Sequence, residues 1–302
     1  FPHSIILGVS SSGRSPNSDD GLLDQVCPSI EQLIKESPKA VIICSPASHH
    51  SFHARPIIEA GIPVLIEKPV CMDLNDFDAL EEAQRNSGTK VAVGYCMRHL
   101  PVLLRLESLL KDKVIGNILN IVIETGQYLP DWRPEKDIFD CVSSQKQLGG
   151  GVVFELSHEI HYAQWLFGPM KTKFSFLQEG IGLGTEVEEV CDCILQTDEN
   201  ALIYLHLDFL QKVPKRKVTI NGTSGNLEVD LLKHSIVYNR LNDTISLFKG
   251  TPLDRDSMYE EMFLDFFELI NDRPSNSVSL SEAGKVLETI LEIKIFNEIS
   301  VK

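Results

Sequence analysis

Ala40-Val41-Ile42-Ile43-Cys44-Ser45-Pro46-Ala47-Ser48-His49-His50 runs from a strand-like segment straight into a helix start, and this passage decides the fold. Residues 40–44 are β-branched and apolar without alternation, as expected for a strand buried on both faces. Ser45-Pro46 turns the chain. Residues 50–60 then read as a helix, stopped by Gly61, which suits a left-handed cap, and by Pro63, which prevents continuation. The same alternation extends in both directions. Residues 4–9, 64–66 and 90–93 are further short apolar strands, expected to share one sheet with 40–44. Between them lie a helix opened by the capping-box pair Ser29 and Gln32 and ending near Ser37-Pro38, a helix over 73–88 with Phe77, Leu80 and Ala83 facing the sheet, and a helix from Pro101 to about Lys111. Strands alternating with helices build a parallel sheet, so the class is α/β.

Beyond residue 111 the texture changes to longer, alternating strands over 117–127, 186–195, 201–209, 215–221 and 226–230, with a turn at Asn221-Gly222-Thr223-Ser224-Gly225. Helices over about 154–166, 258–272 and 281–299 complete this part. Met262, Phe263, Phe266, Phe267 and Ile270, then Val286, Leu287, Ile290 and Leu291, form core stripes. The expected organisation is a parallel-sheet domain over 1–100 and an α+β domain over 101–302, built on an open, mostly antiparallel sheet.

With 302 residues and 43 % apolar content, the chain can bury a sizeable core. Its net charge of −15 repels nucleic-acid backbones and anionic lipid. No apolar run approaches the roughly 20 residues of a membrane span, and seven scattered cysteines suit a reducing compartment, so a cytoplasmic location is expected.

Three motifs can carry chemistry. Ser45 to His50 lies at the carboxyl edge of the predicted sheet, where doubly wound folds bind ligands. Glu67-Lys68-Pro69 ends the next strand, and the proline holds Lys68 extended at that edge. Gly149-Gly150-Gly151 allows close backbone approach ahead of Glu155, His158 and His161. Glu155 and His158 are three apart, so on one helix the carboxylate could orient the imidazole as a base. The same three residues are plausible metal ligands, although His158-Glu159-Ile160-His161 is one residue short of the usual zinc-helix motif. Taken singly, each motif also has a plain structural explanation.

As an ordered set, Ser-Pro-x-x-x-His, Glu-Lys-Pro, Gly94-x-x-x-Arg98-x-x-Pro101 and Gly-Gly-Gly with a downstream acid and histidine, the motifs resemble the glucose-fructose oxidoreductase, inositol dehydrogenase and MocA (Gfo/Idh/MocA) family. The resemblance implies a Rossmann domain, a C-terminal sheet domain and NAD(P)-dependent hydride transfer at a hydroxyl or keto carbon of a sugar, nucleotide-sugar or polyol. It implies Lys68 and His158 as catalytic groups, with Glu155 where an aspartate usually stands. Cofactor contacts are expected from Ser10, Ser11, Ser12, Arg14, Cys44, Ser45, Pro46, His50, Glu67, Lys68 and Arg98. Substrate contacts are expected from Lys68, Tyr128, Trp132, Arg133, His158 and His161, with Arg98, Arg133 and Lys146 available for a phosphate or carboxylate. No metal is expected.

Three departures stand out. No Gly-x-Gly-x-x-Gly precedes the first strand, so the record is expected to start one β-α unit late. The spacing from Glu155 to His158 is one residue short of the family's, and His161 replaces an aspartate. Ser10, Ser11, Ser12 and Arg14 favour NADP over NAD, because hydroxyls and a guanidinium accommodate a 2′-phosphate. The open sheet face suggests a homo-oligomer, dimer or tetramer. The alternatives are a non-catalytic sugar- or dinucleotide-binding relative and a metal-dependent lyase or hydrolase.

Overall fold

A computed structural model describes residues 4–9, 23–251 and 255–300. The first elements are β1 (Leu7–Gly8), β2 (Gln25–Val26), α1 (Ile30–Lys35), β3 (Val41–Ile43), α2 (His50–Glu59), β4 (Val64–Ile66), α3 (Leu74–Ser87), β5 (Val91–Val93) and α4 (Pro101–Lys111). Local chemistry accounts for their ends. Ser29 Oγ accepts from Gln32 N–H and starts α1, but the Gln32 amide turns to Glu36 at 3.1 Å, so only half of the capping box forms. Asp73 caps α3 through Asp76 N–H, and Gly88 closes it at φ 70°.

β3, β4 and β5 are parallel neighbours, and residue pairs such as Ile43 with Ile66 and Ile66 with Val93 set their register. The expectation that residues 4–9 join this sheet is corrected. Among the described residues β1 pairs with β2 alone, in a separate two-stranded parallel piece, and β3 is an edge with Ile42 exposed.

The remaining elements are β6 (Ile118–Gly126), α5 (Val152–Glu155), α6 (Ser157–Phe167), β7 (Met170–Glu179), β8 (Glu188–Thr197), β9 (Leu202–Asp208), β10 (Lys215–Gly222), β11 (Gly225–Asp230), β12 (Ser235–Arg240), β13 (Asp243–Lys249), α7 (Arg255–Ile270), β14 (Val278–Ser279) and α8 (Leu280–Ser300). Eight strands form one open sheet in the order β13-β12-β11-β10-β6-β9-β8-β7, antiparallel except for the β6–β9 pair. One face is apolar: Ile121, Ile123, Leu205, Leu207, Val218 and Ile220 are all buried there under the helices. β7, β12 and β13 escaped the sequence reading: β13 is mostly exposed and the alternation of β7 is broken by a bulge, whereas β12 does alternate, with Ile236 and Tyr238 buried.

The chain returns to its beginning. β14 adds antiparallel to β5, Val278 opposite Val93, while Met262 and Phe266 of α7 pack on Leu65, Ala92 and Cys96. The predicted single helix over 154–166 is instead two, α5 and α6, broken at Leu156 (φ −96°, ψ 29°). No described helix is long and apolar enough to cross a membrane.

Candidate active site

The carboxyl ends of β3, β4 and β5 open on one edge, and the loops that follow them bring Cys44 to Ala47, Glu67 to Pro69 and Gly94 to Met97 together. Lys68, whose peptide bond to Pro69 is cis, reaches from this edge to the helices of the large sheet. Its Nζ donates to the Glu155 carbonyl oxygen at 2.9 Å and lies 3.5 Å from Glu155 Oε2. Both side chains are mostly buried, so the ammonium is held, with some solvent access, at one place.

The break at Leu156 makes this possible and corrects one expectation. With α5 ending at Glu155, its last carbonyl is free to accept from Lys68, and the Glu155 carboxylate faces that ammonium instead of orienting His158. His158 begins the next helix and packs edge-on to Tyr95, with ring centroids 5.7 Å apart. Its Nδ1 is buried without a hydrogen-bond partner. Burial, then the Lys68 ammonium, the Arg216 guanidinium and His161, hold the His158 imidazole well below the ordinary histidine pKa. It is therefore neutral at physiological pH.

The glycine run positions this corner. Gly149 has φ 90°, and a Cβ there would come within 2.7 Å of the Ala47 Cβ. The loop before α5 thus lies directly on the loop after β3.

Other expected site residues are placed differently. His161 is fully buried, stacked on Tyr95 at 4.4 Å, with Nε2 3.6 Å from Glu282 Oε1, so it cannot touch a substrate. Arg98 pairs with Glu282 and lies over the Trp165 ring at 4.3 Å, so its guanidinium is already engaged within the chain. Both His50 nitrogens face backbone carbonyls, Nδ1 that of Pro69 at 2.8 Å and Nε2 that of Ser45 at 2.7 Å, which leaves no ring nitrogen to hydrogen-bond a cofactor. His50 instead joins the loop after β3 to the loop after β4. Glu155, His158 and His161 thus serve three separate surroundings, and among the described residues no three His, Cys, Asp or Glu side chains converge as a metal set.

Cys44 is exposed at the end of β3, and Ser45 Oγ lies 2.9 Å from His53 Nδ1. Glu67 is half-buried, its carboxyl raised by burial, and accepts from Lys68 N–H. Tyr128 lies under the Lys212 ammonium, Trp132 packs edge-on to Phe209, and Arg133 and Lys146 are exposed. Ser10, Ser11, Ser12 and Arg14 lie outside the described residues.

The sequence reading missed Arg216 and Glu159. Arg216 Nε donates to Glu159 Oε1 at 2.6 Å, and Thr125 Oγ1 donates to the same oxygen at 3.0 Å. The signal was there: in Lys215-Arg216-Lys217-Val218-Thr219-Ile220, period-two alternation puts Arg216 on the face of the buried Val218 and Ile220.

The parallel-sheet edge fits a nicotinamide dinucleotide: three strand ends open on one side, and the ammonium fixed there by Glu155 acts electrostatically on the neutral His158 imidazole. Residues 16–95 match the NAD-binding Rossmann fold of the oxidoreductase family, and residues 103–228 match the GFO/IDH/MocA C-terminal domain. The chain belongs to the Gfo/Idh/MocA family. It is 22 % identical to the 1,5-anhydro-D-fructose reductase of Ensifer adhaerens over 96 % of this chain and 86 % of that one. It is also 22 % identical to the 2,7-anhydro-N-acetylneuraminate hydratase of Mediterraneibacter gnavus, over 74 % of this chain and 64 % of that one. The WlbA dehydrogenase of Bordetella pertussis, solved with NADH and UDP-GlcNAcA, shares the fold with a TM-score of 0.80 at 14 % identity, over 98 % of this chain and 88 % of that one. The chain spans 27 % to 64 % of the length of the first curated relatives it matches.

Proposed function

We propose that the protein is an NAD(P)-dependent oxidoreductase that moves a hydride between the nicotinamide and a hydroxyl or keto carbon of a sugar, nucleotide-sugar or polyol. The observation that carries this reading is the Lys68–Glu155 contact, which joins the two halves of the chain and fixes an ammonium near a neutral histidine. Family membership and relatives named for sugar reduction support it.

When bound, the nicotinamide accepts or returns the hydride. Everything else falls to this chain. In the oxidative direction His158 takes the hydroxyl proton, which its neutral state permits, and Lys68 stabilises the charge that develops on the oxygen. Glu155 positions Lys68 through both its carbonyl and its carboxylate. Residues 1–100 would hold the cofactor through Cys44, Ser45, Pro46, Glu67 and Lys68, and residues 101–302 the substrate through Tyr128, Trp132 and Arg133. The preference for NADP in this reading rests on Ser10, Ser11, Ser12 and Arg14 in the sequence.

The outer face of the large sheet supports a homo-oligomer, because Phe174, Ile194 and Tyr204 form a cross-strand row there, with Phe174 and Tyr204 exposed at 45 % and 42 %. Light scattering tests this, and a monomer would contradict it. The activity is tested by titrating NADPH and NADH into the protein and following their fluorescence, then assaying turnover on a panel of sugars and polyols. Saturable cofactor binding with turnover is expected. Cofactor binding without turnover on any sugar would point to the non-catalytic relative, and no binding of either cofactor would sink the assignment.

A further inference from the structure

Arg216 belongs to none of the motifs read from the sequence, and its surroundings orient its guanidinium. It projects from β10 on the helix-covered face of the large sheet, opposite Thr125 in the β6 register. Its Nε is fixed by Glu159, a carboxylate with no exposure, and Glu159 immediately follows His158 on α6. The hydrogen bond at Nε orients the guanidinium plane. The two terminal nitrogens have no partner among the described residues, and the side chain keeps 24 % exposure. An arginine oriented through Nε while both Nη atoms stay open presents the fork that matches a planar carboxylate.

The other cations considered are either held by carboxylates or exposed. Lys68 is held by Glu155 and Arg98 by Glu282, whereas Arg133 and Lys146 are exposed to solvent. Arg216 shares its charge with Glu159, so the site suits a single negative charge better than a phosphate dianion, which would want a second free cation. We infer that Arg216, which hydrogen-bonds the residue following the proposed base, receives a carboxylate of the substrate through Nη1 and Nη2, which makes the substrate a sugar acid. This rests on the proposed oxidoreductase reading and narrows its substrate class.

The test uses the protein saturated with NADH and three matched probe sets: hexuronates (glucuronate, galacturonate, mannuronate), the corresponding neutral hexoses, and the hexose 6-phosphates. Quenching of NADH fluorescence and thermal shift report ternary binding. At least one hexuronate is expected to bind ten-fold or more tighter than its hexose and its hexose phosphate. In R216Q that preference should vanish, and in R216K it should be partly retained because the charge stays but the fork is lost. The double variant R216Q/E159Q, which leaves no buried charge unpaired, repeats the measurement if R216Q folds poorly. Equal binding of hexuronates and hexoses, tighter binding of phosphates, absence of any hexuronate binding, or an intact preference in both variants would each overturn the carboxylate assignment. Failure of NADH itself to bind would instead remove the oxidoreductase reading, so the two failures are told apart.

Discussion

Lys68 Nζ and the Glu155 carbonyl oxygen meet at 2.9 Å across 87 positions of sequence, and this contact ties the edge of a parallel sheet to the helices of an antiparallel one. It depends on α5 stopping at Glu155. Had the helix continued, that carbonyl would accept from within the helix and the ammonium would lose its neutral acceptor.

Lys68→Met should lower turnover by about 10²- to 10⁴-fold, the range associated with losing an electrostatic or proton-transfer partner in the transition state. Global stability should change little, because the ammonium retains some solvent access. Steady-state kinetics beside a thermal melt would check this. A variant with near-normal kcat would remove Lys68 from the chemistry.

With His158 as the proposed base, its titration should set the acid limb of the pH profile. Burial and the neighbouring cations lower its pKa, so kcat/KM for oxidation should stay flat through neutrality and fall only at pH values below the ordinary histidine range. The sign can be tested independently of the rate. Lys68→Met removes one cation, so the limb should move upward in pH, towards 6.5. A limb that stays put or moves down would show that the ammonium does not act on this imidazole.

Arg98→Ala should destabilise the fold by about 2 kcal/mol, since it strips a partly buried Glu282 of its partner and uncovers Trp165. Chemical denaturation would measure this. In a double-mutant cycle with Glu282→Gln the losses should be less than additive. Simple additivity would mean that the pair contributes nothing as a pair.

His206 lies between Asp192 at 2.7 Å and Asp208 at 3.1 Å on the outer sheet face, and its pKa is pushed up to about 9, chiefly by Asp208. A raised folded-state value means that the charged histidine stabilises the fold fully below about pH 6.5, the unfolded value, and that this contribution is lost as pH rises through about 9. Discounted for solvent screening, it amounts to about 1 kcal/mol. Melting curves of the natural protein and His206→Gln should differ at pH 6 and converge near pH 10. A constant difference would rule out the linkage.

How far residues reveal structure here depends on the distance over which they act. Asp73, Gly61 and Pro101 work within a turn of chain, and each ends or begins the helix its chemistry suggests. Glu67-Lys68-Pro69 was conspicuous because proline restricts its neighbour. His161 was not readable, since its burial is decided by Tyr95 and Glu282, which come from elsewhere in the chain. The pairing of Glu155 with His158 failed for a similar reason: counting three residues along assumes a continuous helix, and Leu156 interrupts it. The inward face of Arg216 was legible from its alternation with Val218 and Ile220, but its pairing with Glu159, 57 positions away, was not.

The addition of β14 to β5 has a consequence for anyone who cuts the gene. A clone ending after residue 250 would strip the three parallel strands of their flanking ribbon and remove α7 from their surface. Nicking the same connection in the intact molecule should leave both fragments clasped together, because what joins them is a backbone ladder and an apolar seam as much as the covalent link.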